Sequence, residues 1–194
     1  LLSWSYGFLL REIIYLSDSM CIRQRQVNIF FCNFTNTVKL RAFEHAAMMR
    51  EFAAHGVSAE QLIALPKMAI DAFFENLANI DIALDPIAVT GATTTCEVLW
   101  MGIPVITLAG KRFLQRAGVS TLSAAGLPQF IARSPEEYVQ IAEKWSADLP
   151  KLAKLRAGLR DQLQASPLMD EAGFTRELEV QYRRVWKHWC GHAA

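Results

Sequence analysis

The chain has 194 residues, 52% of them hydrophobic and 20% charged, with a net charge of +1. That is length for one well-cored domain. It is too apolar for a disordered chain, and too nearly neutral for its overall field to recruit nucleic acid or an anionic membrane. Any ligand is therefore expected to be held by local groups.

Residues 1–26 open with LLSWSYGFLLREIIYL. The pattern predicts a helix over residues 4–16 and a polar connection over 17–26, with no legible chemistry in either. Arg11 and Glu12 interrupt the apolar run, which is too short to span a bilayer. It has no basic start and no small-residue cleavage site, so it does not read as a signal peptide. The first residue is not Met, as expected of a piece of a longer protein. Cys21, Cys32, Cys96 and Cys190 show no C-x-x-C spacing. Without a secretory signal they read as reduced thiols in a cytoplasmic protein.

Residues 27–32, VNIFFC, predict a short strand. The loop beyond it carries Lys39. In a nucleotide-binding α/β domain, ligands sit at the carboxyl ends of strands; the plainer alternative is a surface lysine. Residues 41–55 predict an amphipathic helix closed by Gly56. His45 and His55 lie on it and read as surface or boundary residues rather than catalysts. Ser58 to Gln61 has capping-box form.

The densest information lies in residues 81–108. An apolar run over 80–84 ends at Asp85-Pro86. A loop follows with Thr90, Gly91, Ala92 and then Thr93, Thr94 and Thr95. A helical pattern over 96–101 stops at Gly102, and a second apolar run covers 103–108. Strand, polar loop, helix and strand make the βαβ unit of a parallel sheet. The threonines stand where the first helical N–H groups are unpaired, and Gly91 allows close approach to the backbone. Hydroxyls, free N–H groups and the positive helix end suit a diphosphate, and Glu97, a turn further on, can accept from sugar hydroxyls. The same residues also fit a plain reading, in which the threonines cap the helix and Glu97 complements its dipole.

Lys111, Arg112 and Arg116 form a basic cluster after the second strand. It suits anion steering or a solvated helix start equally. A helix ending near Gly126-Leu127-Pro128 and a short strand over 130–132 follow. Ser134-Pro135-Glu136-Glu137 marks a helix start with Ser at the N-cap. Helices are expected over 135–146 and 149–165. Tyr138, Ile141, Ala142, Trp145, Leu152, Leu155, Leu159 and Leu163 lie on their core faces. Lys151, Lys154, Arg156 and Arg160 read as a solvated face. A last helix over 172–189 places Phe174, Leu178, Tyr182, Val185 and Trp186 on one stripe. His188, Cys190 and His192 do not have zinc spacing, and no second ligand pair accompanies them.

The stretch DIALDPIAVTGATTTCEVLWMGIPVITLAG, residues 81–110, resembles the core of the C-terminal catalytic region of O-linked N-acetylglucosamine transferases, the family 41 glycosyltransferases. The likeness continues through Arg116 and SAAGLPQFIARSPEEYVQIA to the last helix. Phe31-Cys32-Asn33-Phe34, followed by Lys39, resembles an earlier family motif. The resemblance implies an α/β fold with a Rossmann-like parallel sheet over residues 27–190, the C-terminal half of a GT-B glycosyltransferase. It implies UDP-N-acetylglucosamine as donor, Ser or Thr of a protein acceptor, an inverting displacement and no metal cofactor.

Under that resemblance Gly91, Ala92, Thr93, Thr94 and Arg116 bind the UDP-sugar, and Glu97 takes the ribose. Lys39 assists the leaving group by offsetting its charge. The N-terminal catalytic half and tetratricopeptide repeats expected of a full-length relative do not appear, and the last helix is expected to cross back to that half. Two departures stand out. Leu40 runs directly into the 41–55 helix, so one βα unit is expected to be missing. Phe73 stands where the family carries a His. They favour a second reading, a truncated or decayed relative that binds nucleotide weakly or only mediates protein contacts. No robust transfer is expected from this chain alone.

Overall fold

The computed structural model describes residues 29–31, 50, 53–54, 69–87 and 89–192. Lys39, the loop around it, most of the 41–55 helix and the segment held to lack a βα unit lie outside the described residues, as do residues 1–26. Arg50, Ala53 and Ala54 are helical and exposed.

Four parallel strands form the sheet, in the order β1 (Ile29–Phe31), β2 (Ile82–Leu84), β3 (Val105–Leu108), β4 (Ile131–Ala132). Ile29 pairs with Ile82 and Phe31 with Leu84. Leu84 then pairs with Ile106, and Leu108 with Ala132. Every residue of β2 and β3 is buried. That is why both read as unbroken apolar runs: a parallel sheet is covered on both faces by its crossover helices.

Six helices carry the rest: α1 (Ile70–Leu77), α2 (Thr93–Trp100), α3 (Ala117–Ala124), α4 (Pro135–Ser146), α5 (Leu149–Gln164) and α6 (Glu171–His192). Two of them stop by the same device. Gly102 (φ 78°) and Gly126 (φ 70°) adopt the left-handed conformation that a side chain resists. Each is flanked by the paired bonds of a Schellman turn. Gly102 N–H donates to Leu99 O and Ile103 N–H to Val98 O; Gly126 N–H donates to Ser123 O and Leu127 N–H to Leu122 O. The apolar contact such turns favour is present, since Val98, Ile103, Leu122 and Leu127 are all buried.

At the other end, Ser134 caps α4 as its sequence predicts, its hydroxyl accepting from Glu137 N–H at 3.2 Å. Asp148 caps α5 by accepting from Lys151 N–H at 3.1 Å. Phe130, within a 3₁₀ turn just before β4 rather than in the strand, stacks on Trp145 with centroids 4.9 Å apart.

One expectation is overturned on α5. Lys151, Lys154 and Arg160 are exposed, but Arg156 is half-buried and does not belong to a solvated face. Arg156 is paired with Asp81 and donates from Nε to Gly102 O at 3.2 Å. Arg160 donates from Nε to Trp100 O at 3.0 Å and lies over the Trp100 ring. An arginine satisfies carbonyls and stacks on aromatics in ways a periodicity pattern does not reveal.

The stripe on α6 is also not core. Phe174, Tyr182, Val185, Trp186 and Trp189 are all about two-thirds exposed, between 66% and 68%. Among the described residues, no helix is long and apolar enough to cross a membrane.

Candidate functional site

The site is built on the last residue of the β2 ladder. Asp85 N–H donates to Ile106 O at 2.9 Å, and Pro86 then ends the pairing. The Asp85 side chain is buried at 2% exposure. Its Oδ1 accepts from Gly91 N–H at 2.6 Å, and its Oδ2 accepts from the Thr107 hydroxyl at 2.7 Å. Its backbone oxygen accepts from the Tyr138 hydroxyl at 2.9 Å. Burial pushes the Asp85 carboxyl up to about 6, against the opposing pull of the bonds from Gly91 and Thr107. Burial, and then the Asp85 charge, raises the Tyr138 phenol well above its ordinary range.

Helix α3 closes over this pair at Gly118. A methyl group there would lie 2.4 Å from Asp85 Oδ2 and 2.5 Å from Thr107 Oγ1. Only a residue without a Cβ admits the helix this closely.

Two loops meet beyond the carboxyl ends of β2 and β3. Thr90 donates from both its N–H and its hydroxyl to Leu114 O, at 3.0 and 3.1 Å. Its hydroxyl accepts from Gly118 N–H at 3.2 Å. Gln115 reaches across from Nε2 to Ile87 O at 3.3 Å, while its Oε1 accepts from Arg112 N–H. Arg116 is exposed and donates to Gly110 O at 3.1 Å, which holds its own loop closed. Lys111 and Arg112 are exposed on the same loop.

Helix α2 leaves the first of these loops. It begins at Thr93, three residues earlier than the helical pattern suggests, so the threonines form its first turn. Ala92 occupies the N-cap and no side chain caps the helix. The capping role for the threonine hydroxyls is thus not the one the chain uses. The first backbone bond runs from Cys96 N–H to Ala92 O at 3.1 Å, so the Thr93, Thr94 and Thr95 N–H groups have no partner within the helix. Thr93 is exposed, Thr94 half-buried and Thr95 buried. At the other end of α2, Arg160 donates to the carbonyl of Trp100, its last residue, and Arg156 to that of Gly102 in the turn just beyond, which places two positive charges near the negative pole of the helix. Among the described residues no side chain caps the positive pole, which carries threonine hydroxyls, the chemistry of an anion site.

The structure therefore brings together Gly91, Ala92, Thr93 and Thr94 at one loop–helix junction. Glu97 sits one turn deeper, half-buried, and Arg116 on the neighbouring loop. Phe73 is half-buried on α1, its ring 5.7 Å from that of Phe74, and offers a hydrocarbon where a donor was looked for. Among the described residues, no group of three or more His, Cys, Asp or Glu side chains is placed to hold a metal ion. Sequence reasoning missed Asp85, Thr107, Gly118 and Tyr138. A carboxylate closing an apolar strand run was the available signal for the first. The others come from elements that only folding brings near it.

Known proteins share the sequence pattern and the fold of this chain. The sequence profile of glycosyl transferase family 41 matches residues 28–178. A protein of Petunia hybrida, described as a probable UDP-N-acetylglucosamine–peptide N-acetylglucosaminyltransferase SPINDLY, is 42% identical over 111 residues. That covers 57% of this chain and 12% of that protein. The UDP-N-acetylglucosamine–peptide N-acetylglucosaminyltransferase of Caenorhabditis elegans is 31% identical over 109 residues, 56% of this chain and 10% of that protein. Among solved structures, a mutant of the Thermobaculum terrenum O-GlcNAc transferase superposes with a TM-score of 0.79 at 34% identity. The match covers 95% of this chain and 34% of that one. The chain thus spans only a minor part of each of these relatives.

Proposed function

Because the chain belongs to glycosyl transferase family 41, we propose that it carries the donor-binding region of a protein O-linked glycosyltransferase. The donor is UDP-N-acetylglucosamine and the acceptor a peptide, as the names of the relatives suggest, with a Ser or Thr hydroxyl as the O-linked acceptor group. The observation that carries this reading is the asymmetry of α2. Arg160 bonds its last carbonyl and Arg156 the turn just beyond, while its N-terminal N–H groups stand uncapped by side chains beside Gly91, Thr93 and Thr94. A UDP diphosphate is the natural occupant of such a pole.

In this reading Gly91 and Ala92 let the diphosphate approach, Thr93 and Thr94 donate to it, and Glu97 accepts from the ribose hydroxyls. Arg116 adds positive charge from the neighbouring loop, and Lys39 offsets the charge that develops on departing UDP. Helix pole and lysine together do the work that many transferases give to a metal, so we assign no metal cofactor. The acceptor-side machinery and the tetratricopeptide repeats belong to a full-length relative's N-terminal part. The exposed, unpaired Cys96 and Cys190 suit a cytoplasmic setting.

Calorimetric titration of the chain with UDP tests the reading. Micromolar binding, lost in Lys39→Ala and in the Thr93→Ala, Thr94→Ala pair with the fold intact, supports it. Absence of UDP binding in the folded chain, or binding that prefers GDP, refutes the donor assignment. The first of those outcomes favours a decayed relative confined to protein contacts, the reading to which the hydrocarbon side chain of Phe73 lends support.

A further inference from the structure

Asp85 is the most enclosed carboxylate described in the chain, and both of its oxygens are engaged. It grips the backbone that leads into α2. Gly91, whose N–H it holds, stands two residues before the first residue of the helix. The preceding residue, Thr90, is held independently by Leu114 and Gly118. The peptide joining Thr90 and Gly91 is thus fixed from both sides, and it sets the direction in which α2 departs. We propose that Asp85 is a positioning residue for the donor site, its Oδ1 accepting from the Gly91 N–H and holding that peptide so that the Thr93 and Thr94 N–H groups meet the diphosphate. This rests on the reading that the N-terminus of α2 receives the donor.

The placement carries a pH signature. The groups that face Asp85 are Gly91 from its own loop, Thr107 from β3, Gly118 from α3 and Tyr138 from α4. Tyr138 is the titratable one of these, and its raised phenol stays protonated through the neutral range. A sugar-nucleotide diphosphate holds its charge constant there as well. Donor bound close to the Asp85 carboxylate disfavours its ionised form, so donor binding tightens as pH falls through about 6.

The test is calorimetric titration of the full chain with UDP-N-acetylglucosamine at about pH 5.5 and about pH 7.5. Asp85→Ala takes the acceptor from Gly91 and is expected to raise Kd at least roughly tenfold, the loss of a charge-assisted hydrogen bond. Asp85→Asn keeps an oxygen for Gly91 and gives Thr107 a donor in exchange. It is expected to bind within about threefold of the wild type at the lower pH and to lose the pH dependence. A folded Asp85→Ala with wild-type affinity overturns the proposal and leaves the donor-site reading standing. A wild-type chain that does not bind the donor overturns both.

Should Asp85→Ala fail to fold, the Gly91 amide resonance decides. In the wild type it moves with pH near 6 and again on donor addition. In Asp85→Asn the pH-dependent shift disappears and the donor-induced shift persists. A wild type that binds donor without moving the Gly91 resonance overturns the proposal.

Discussion

Arg156 on α5 bonds at once to the carboxylate of Asp81, just before β2, and to the carbonyl of Gly102, just after α2. One guanidinium thereby fixes both ends of the strand–helix unit on which the site is built. Both side chains are about a quarter exposed, at 26% and 25%, so solvent screens the pair only in part. Arg156→Met is expected to destabilise the chain by about 1–3 kcal/mol, since it removes two bonds from a charged donor. Lys154→Met, two residues away on the exposed side, is expected to change stability by less than about 0.5 kcal/mol. Urea unfolding midpoints of the two variants make the comparison.

Glycine substitutions on two helices should act in opposite directions. Gly118→Ala drives a methyl group against Asp85 and Thr107 and is expected to destabilise by about 1–3 kcal/mol. Gly158→Ala on α5 meets nothing within 4 Å. There the gain in helix propensity is expected to stabilise by about 0.5–1 kcal/mol. Thermal melts of the two variants check the signs, and equal signs would contradict the packing described at Gly118.

Asp85 makes stability depend on pH in a defined direction. Its carboxyl titrates at about 6 in the folded chain against an ordinary value of 3.8. The folded state therefore binds more protons than the unfolded state between those values. The favourable contribution is fully present below the ordinary value and is lost as pH rises through about 6. The loss amounts to about 3 kcal/mol on the plain relation between proton affinity and free energy. Subtracting the pH–stability curve of Asp85→Asn from that of the wild type isolates it. The difference should fall between about pH 4 and pH 6 and stay flat above.

The sheet was legible because a doubly covered strand has an unmistakable run of apolar residues: Ile82 to Leu84 and Val105 to Leu108 could face nothing but core. The cap of α4, the turn at Gly102 and the loop–helix junction were legible for a related reason, since each is decided by residues close in sequence. What escaped depends on contacts across 22 to 75 positions. Thr107 with Asp85, Tyr138 with the Asp85 carbonyl, and Arg156 with Asp81 are such pairs. A charged residue on a helical pattern defaults to solvent in any sequence-based reading, so the half-buried Arg156 was assigned to the outer face. Gln115 carries no local signal of its role. In the fold it is the clasp between the two loops.

Helix α6 extends for 22 residues, and its packing partner among the described elements is the short turn Pro167–Met169. Among the described residues its hydrogen bonds are shielded from water by little more than its own side chains. Amide protons of α6 are expected to exchange through local opening, orders of magnitude faster than those of β2 and β3, which wait for global unfolding. A protease acting near Asp170 should release the helix and leave the melting temperature of the remainder nearly unchanged. The last helix is in this sense a guest of the domain: its persistence is set by helix–coil equilibrium, while that of the donor site is set by the cooperative core.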